Sequence, residues 1–74
     1  MNAKLEKFDS GWIDISLALA TEEIDLLLRR LNALKSGEIT HFHLRNEDFS
    51  LSEGIADIEI TTIGEGELNN MKID

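Results

Sequence analysis

Residues 21–37 read TEEIDLLLRRLNALKSG and carry the clearest pattern in this chain. Apolar side chains recur there at the spacing of one helical face, at Ile24, Leu27, Leu28, Leu31 and Leu34. Thr21 is a residue type that caps helix N-termini, and three acids follow it, which suits the positive end of a helix dipole. Gly37 can adopt the left-handed conformation that ends a helix. The pattern predicts one amphipathic helix between Thr21 and Gly37.

Three strands are predicted around this helix. Apolar and polar residues alternate over Trp12–Leu19, which is typical of a strand with one aliphatic face. Similar alternation predicts strands over Glu38–Arg45 and from Gly54 to about Ile63. We therefore expect an α+β fold in which one helix packs on one face of a small antiparallel or mixed sheet of three to four strands, in the order β-α-β-β.

The 74 residues are enough for a single small domain. Residues 1–10 have no clear period, and the glycines near residue 64 interrupt the pattern. Both ends, 1–10 and 64–74, are therefore expected to be poorly ordered. The alternatives are that Leu5 and Phe8 pack on the rest of the chain and that residues 68–74 form a short edge strand.

The net charge of −8 is distributed unevenly. Residues 1–45 contain seven acids and six bases, whereas residues 46–74 contain eight acids and only one base, Lys72. Such a surface repels phosphate backbones, so nucleic acid is not expected as a partner. The acidic half either attracts a basic protein or only keeps the chain in solution, and the sequence leaves both open.

Motifs that are absent from the sequence bear on where the protein is located and on whether it is an enzyme. No apolar run is long enough for a membrane helix and no signal-peptide pattern is present, so we expect a cytoplasmic protein without membrane contact. No cysteine, phosphate-binding glycine motif or nucleophile elbow occurs, and a thin fold is expected to lack a deep pocket, which typically needs about 300 Å³ or more of enclosed space. We expect no enzyme and no cofactor.

Two histidines lie on one side of the second predicted strand. Alternation places His41 and His43 on the sheet face away from the helix. If the second and third strands pair around Ser50, His41 faces Glu59 and His43 faces Asp57. These four residues could ligate a metal ion. Cross-strand pairs of histidine and carboxylate also form simply because they attract each other, so a structural role remains open.

Two aromatic residues suggest recognition of a protein partner. Phe49 lies in a polar loop between Glu47 and Glu53, and an aromatic anchor within a charged rim is a common interface feature. Trp12 falls on the polar side of its strand. The predicted binding surface therefore consists of Trp12, Glu47, Asp48, Phe49, Asp57 and Glu59. The alternative is that both aromatic side chains cap the ends of a small core.

The stretch Gly37–Phe49, GEITHFHLRNEDF, resembles a group of small bacterial proteins. They share a leucine-rich helix, a His-x-His-Leu strand and a polar loop that holds an aromatic residue, and the similarity covers about Thr21–Glu59. Some of these resemble immunity proteins, which bind and block a co-encoded toxin. This chain has Phe49 and Ser50 where Trp followed by glycines is expected. The resemblance implies an intracellular inhibitor of a toxin, and the acidic half of the chain would suit a basic one.

Three hypotheses follow. The first is an acidic binding protein of the immunity type. The second is a small metal-binding protein that uses His41 and His43 with Asp57 and Glu59. The third is a self-associating module that forms a homodimer through an uncovered sheet face and the apolar spot at Leu26 and Ala33.

Overall fold

The computed structural model describes residues 1–74 and has one helix and four strands. The elements are β1 (Asn2–Lys7), β2 (Ile13–Ala18), α1 (Thr21–Ser36), β3 (His41–Arg45) and β4 (Asp57–Thr61). β1 pairs antiparallel with β2, and β3 pairs antiparallel with β4, so that the chain has two separate two-stranded sheets. The α+β class is confirmed, but the order is β-β-α-β-β and no single sheet forms.

The first hairpin contains the strand that the sequence patterns missed. Residues 1–10 were expected to be poorly ordered, yet Leu5 of β1 lies opposite Ile15 of β2. In the turn between the strands, the Phe8 N–H donates a hydrogen bond to the Trp12 carbonyl at 3.0 Å. Gly11 has φ 93°, a conformation that favours glycine. Since β1 contains few β-branched or aromatic residues, its pairing with the strongly patterned β2 creates the strand, and its own propensity contributes little.

The helix begins and ends nearly where its sequence predicts. The N-cap is Ala20 and not Thr21, and the Glu23 carboxylate supplies the capping by accepting the Ala20 N–H at 2.9 Å. Gly37 ends the helix with φ 81°, and its N–H donates to the Leu34 carbonyl at 3.2 Å. The helix lacks the length and apolar composition of a segment that crosses a bilayer.

The second hairpin is shorter than predicted at both ends. β3 begins at His41 and not at Glu38, because the N–H groups of Glu38 and Ile39 donate to the Ala33 carbonyl and continue the helix C-terminus. Residues 64–74 contain no helix or strand.

Very little of this chain is buried. Only Leu34, which is 8% exposed, is a core residue. The accessible surface is 6995 Å², whereas a compact folded monomer of 8.3 kDa exposes about 4,600 Å². The radius of gyration is 14.4 Å, against about 11 Å for a compact chain of this length. The two hairpins and the helix therefore leave much of their apolar surface uncovered.

Candidate functional site

Residues 46–56 join β3 to β4 and form what we call the acidic loop. Its conformation is set by local hydrogen bonds from short polar side chains. The Asp48 N–H donates to Asn46 Oδ1 at 2.7 Å, and the Ser50 N–H donates to Asp48 Oδ1 at 2.9 Å. At the far end, Asn46 Nδ2 donates to the Ile55 carbonyl at 3.0 Å. Asn46 and Asp48 thus fold the loop through side-chain turns of the kind that asparagine and aspartate favour.

The acidic loop presents two apolar side chains to solvent. Phe49 is 72% exposed and Leu51 is 79% exposed, and Glu47 and Glu53 are also exposed. Phe49 therefore does not cap a core, and the loop has the arrangement of an aromatic side chain among acids. Such an exposed pair is a candidate contact for another protein.

Asp48 stabilises the loop conformation through hydrogen bonds and also contributes negative charge. Hydrogen bonds from the Ser50 backbone N–H and then from the Ser50 hydroxyl lower the pKa of Asp48 from its ordinary value. The carboxylate is charged at neutral pH and already occupied by Ser50. Glu47, which makes no such bond, is the freer acid for a partner.

Trp12 lies in the turn of the first hairpin and is 78% exposed. The same end of this hairpin approaches the acidic loop through a side chain, since Lys7, the last residue of β1, has its Nζ 4.0 Å from Glu53 Oε2. A cleft of about 290 Å³ lies between Ala3 of β1 and the loop, with Phe49 among its lining residues. Trp12 does not line this cleft, so the two predicted anchors do not share it.

A larger cleft of about 500 Å³ separates the two hairpins. Its walls come from the start of β1, the first turn of α1, the second hairpin and the acidic loop, including Met1, Leu17, Glu23, Leu44 and Leu51. Its volume exceeds 300 Å³, but it is a cleft open to solvent and not the deep, enclosed pocket that the thin fold is expected to lack. The space arises because the two sheets do not pack together.

The histidine face has a register different from the predicted one. His43 lies opposite Glu59, and His41 lies opposite Thr61, so that the pairing is shifted by two residues. Since alternate residues share a face, the shift keeps both histidines and both carboxylates on one side of the sheet. The predicted pairing of His41 with Glu59 was wrong. Asp57 still reaches His43 diagonally, with 3.0 Å between His43 Nδ1 and Asp57 Oδ2.

Three of the four predicted metal ligands form a group. One ligand atom from each of His41, His43 and Glu59 lies within 4.8 Å of the others. The two imidazole rings meet edge to face, with centroids 5.3 Å apart and an interplanar angle of 89°. Asp57 is not a member of the group. Its carboxylate bonds His43 Nδ1 and lies 3.5 Å from Arg45 Nε.

Comparison with protein-family models, curated proteins and solved structures finds no match for this chain. The resemblance of Gly37–Phe49 to immunity proteins therefore stays a prediction.

Proposed function

We propose that this protein functions by binding other proteins, and that a second copy of the chain completes its hydrophobic core. The observation that carries this proposal is that only Leu34 is buried. The surface in excess of a compact monomer is roughly 2,400 Å² per chain. Permanent interfaces bury about 2,000–5,000 Å² in total, counted over both partners. Part of this excess lies in residues 64–74, which contain no helix or strand.

The uncovered residues have the pattern of an interface. One face of the first hairpin presents Leu5, Ile13, Ile15 and Leu17, all exposed, while the opposite face carries Lys4, Glu6, Asp14 and Ser16. Ile24, Leu28 and Leu31 of the helix stripe are also exposed. An apolar face of this kind, next to a polar one, is expected to be covered in the native assembly.

The sheets also favour association. An isolated two-stranded hairpin is marginally stable in water, and each of these sheets leaves two edges without a neighbouring strand. A second copy can cover the faces, extend the edges, or do both.

The charge distribution supports a second copy as the occupant of these faces. The first hairpin and the helix belong to residues 1–45, where seven acids are balanced by six bases. Two such surfaces can meet without strong repulsion. The eight acids of residues 46–74 repel each other across any symmetric contact, which favours an arrangement that leaves them outside.

The acidic loop is the proposed site for a different protein. Phe49 and Leu51 supply apolar contact, and Glu47 faces a basic surface. Asp57 is already held by His43 and Arg45 on the adjoining hairpin. The resemblance to immunity proteins suggests a basic toxin, blocked in the cytoplasm, as this partner. No chemistry on the partner is required, so the proposal is inhibition by binding.

The mass of the protein in solution tests the dimer. We expect sedimentation equilibrium to give twice the 8.3 kDa chain mass at micromolar concentration. Ile15→Lys places a charge on the apolar face of β2 and is expected to give monomers with reduced helix and strand content. Ala18→Lys adds the same charge to the polar face of the same strand, opposite the uncharged Asn2, and should remain a dimer. A wild-type protein that stays monomeric at every concentration would refute the proposal.

A further inference from the structure

We propose that His41, His43 and Glu59 bind a divalent transition-metal ion, zinc in the first instance, and that Asp57 positions His43 for this ion. The site lies on the polar face of the second hairpin. It goes beyond protein binding, and it does not depend on the dimer, because the proposed dimer surface lies on the first hairpin and the helix, whereas this site lies on β3 and β4.

The residue types and their placement fit such an ion. His41 and His43 are two residues apart on β3 and share a face, and Glu59 lies directly opposite His43 on β4. Two imidazoles and one carboxylate form a common ligand set for zinc, with a water in the fourth position. The same set also suits nickel and copper.

The distances permit coordination after small side-chain movements. The three ligand atoms lie within 4.8 Å of one another, and a tetrahedral ion with bonds of about 2.0 Å needs them about 3.3 Å apart. His41 and Glu59 are exposed and His43 is half-buried, so rotation about their χ angles meets little packing. No backbone change is needed.

The surroundings of the rings resemble the outer shell of known metal sites. Asp57 Oδ2 lies 3.0 Å from His43 Nδ1, and Thr40 Oγ1 lies 2.9 Å from His41 Nδ1. A carboxylate that accepts a hydrogen bond from one ring N–H fixes the tautomer and leaves the other nitrogen for the metal. In His43 the ligand atom is then Nε2.

The local charge also favours a cation. Arg45 is the nearest base, and its guanidinium is paired with Asp57, with 3.5 Å between Nε and Oδ1. Across residues 46–74 Lys72 is the only base among eight acids. A divalent ion therefore meets a negative potential at this face.

Calorimetric titration with zinc chloride, and separately with nickel chloride, tests the site. We expect one ion per chain, bound with micromolar affinity, and no heat from His41→Ala/His43→Ala. Glu65→Gln removes an acid outside the hairpin and should bind as the wild type does. Absence of heat with both ions at 100 µM protein, or equal heat from the double variant, would overturn the proposal.

The role of Asp57 has a separate readout. Asp57→Asn is expected to weaken binding about 10- to 100-fold, as loss of an outer-shell carboxylate commonly does. Nitrogen-15 NMR of the metal-free protein should show the Nδ1–H tautomer of His43 in the wild type and a tautomer mixture in Asp57→Asn. An unchanged tautomer together with unchanged affinity would mean that Asp57 only pairs with Arg45.

Discussion

The Glu23 side chain contacts both the N-terminus of the helix and the first residue of the chain. Its carboxylate accepts the Ala20 N–H at 2.9 Å and lies 2.7 Å from the N-terminal amine of Met1. The sequence identifies Glu23 as an acid in the first turn of a helix. It cannot identify the contact with Met1, because that contact depends on β1 lying beside the helix N-terminus.

Replacing Glu23 should change the dependence of stability on pH. Bonding to the amine, and then to Ala20, lowers the pKa of Glu23 from its ordinary value of 4.5. A lowered folded-state pKa stabilises the protein above the unfolded value, and this contribution is lost as pH falls through the folded value. We expect Glu23→Gln to melt below the wild type at pH 7, and the difference to vanish in acid.

Glu22→Gln is the control for this experiment, because the Glu22 side chain makes no hydrogen bond or ion pair in the structure and its replacement should change little. Thermal melts of the three proteins at pH 7 and pH 3 make the comparison. Equal melting temperatures of Glu23→Gln and wild type at pH 7 would show that the bonds of Glu23 to Met1 and Ala20 do not stabilise the folded protein.

At the level of elements, the conformation of the acidic loop depends on local hydrogen bonds, whereas the register of the two strands that it joins depends on their pairing. Asn46 and Asp48 are turn-forming residues, and the bonds they make are local. The register of β3 with β4 is not local. A pairing centred on Ser50 and the observed one differ by two residues, and both place the same side chains on the same face, so alternation alone could not distinguish them.

Changing the acidic loop should weaken partner binding without unfolding the chain. Phe49→Ala removes the exposed aromatic ring, and Glu47→Lys reverses a charge that no hydrogen bond occupies. We expect each to raise the Kd for a basic protein recovered with the wild type at low salt by at least about tenfold, the size of an anchor residue.

The matched control for the loop is Glu65→Lys, which makes the same charge reversal outside it and should bind nearly as the wild type does. Biolayer interferometry on the purified pair measures the three affinities, and circular dichroism verifies folding. Unchanged affinity in both loop variants would exclude the loop as the binding site.

At the scale of the whole molecule, stability and association are expected to be one process. A chain with one buried side chain cannot offset the conformational entropy lost on folding by its own burial. If a second copy covers the first hairpin and the helix stripe, the folded state is favoured by mass action.

The melting temperature should therefore rise with protein concentration. We expect an increase across a hundredfold range of total protein, followed by circular dichroism at constant buffer and ionic strength. Ala18→Lys should show the same rise. A melting temperature independent of concentration would mean that the chain is stable as a monomer despite its open shape.

The sequence by itself determined the helix, the strand that precedes it and the hairpin that follows, since spacing, capping and turn chemistry act over a few residues. The hydrogen bonds of helix ends lie within one turn, which is why Gly37 could be identified as the helix end and why Ala20, capped through Glu23, differed by only one position. It also identified His41, His43 and Glu59 as sharing a face.

Tertiary structure decided the rest. Only strand pairing could make β1 from a segment of weak propensity, and only register could place Glu59 opposite His43 and Asp57 on its Nδ1. The two hairpins form separate sheets, and no strand of one is hydrogen-bonded to a strand of the other. Burial depends on contacts between residues distant in sequence, so the near absence of a core could not be anticipated from apolar content alone.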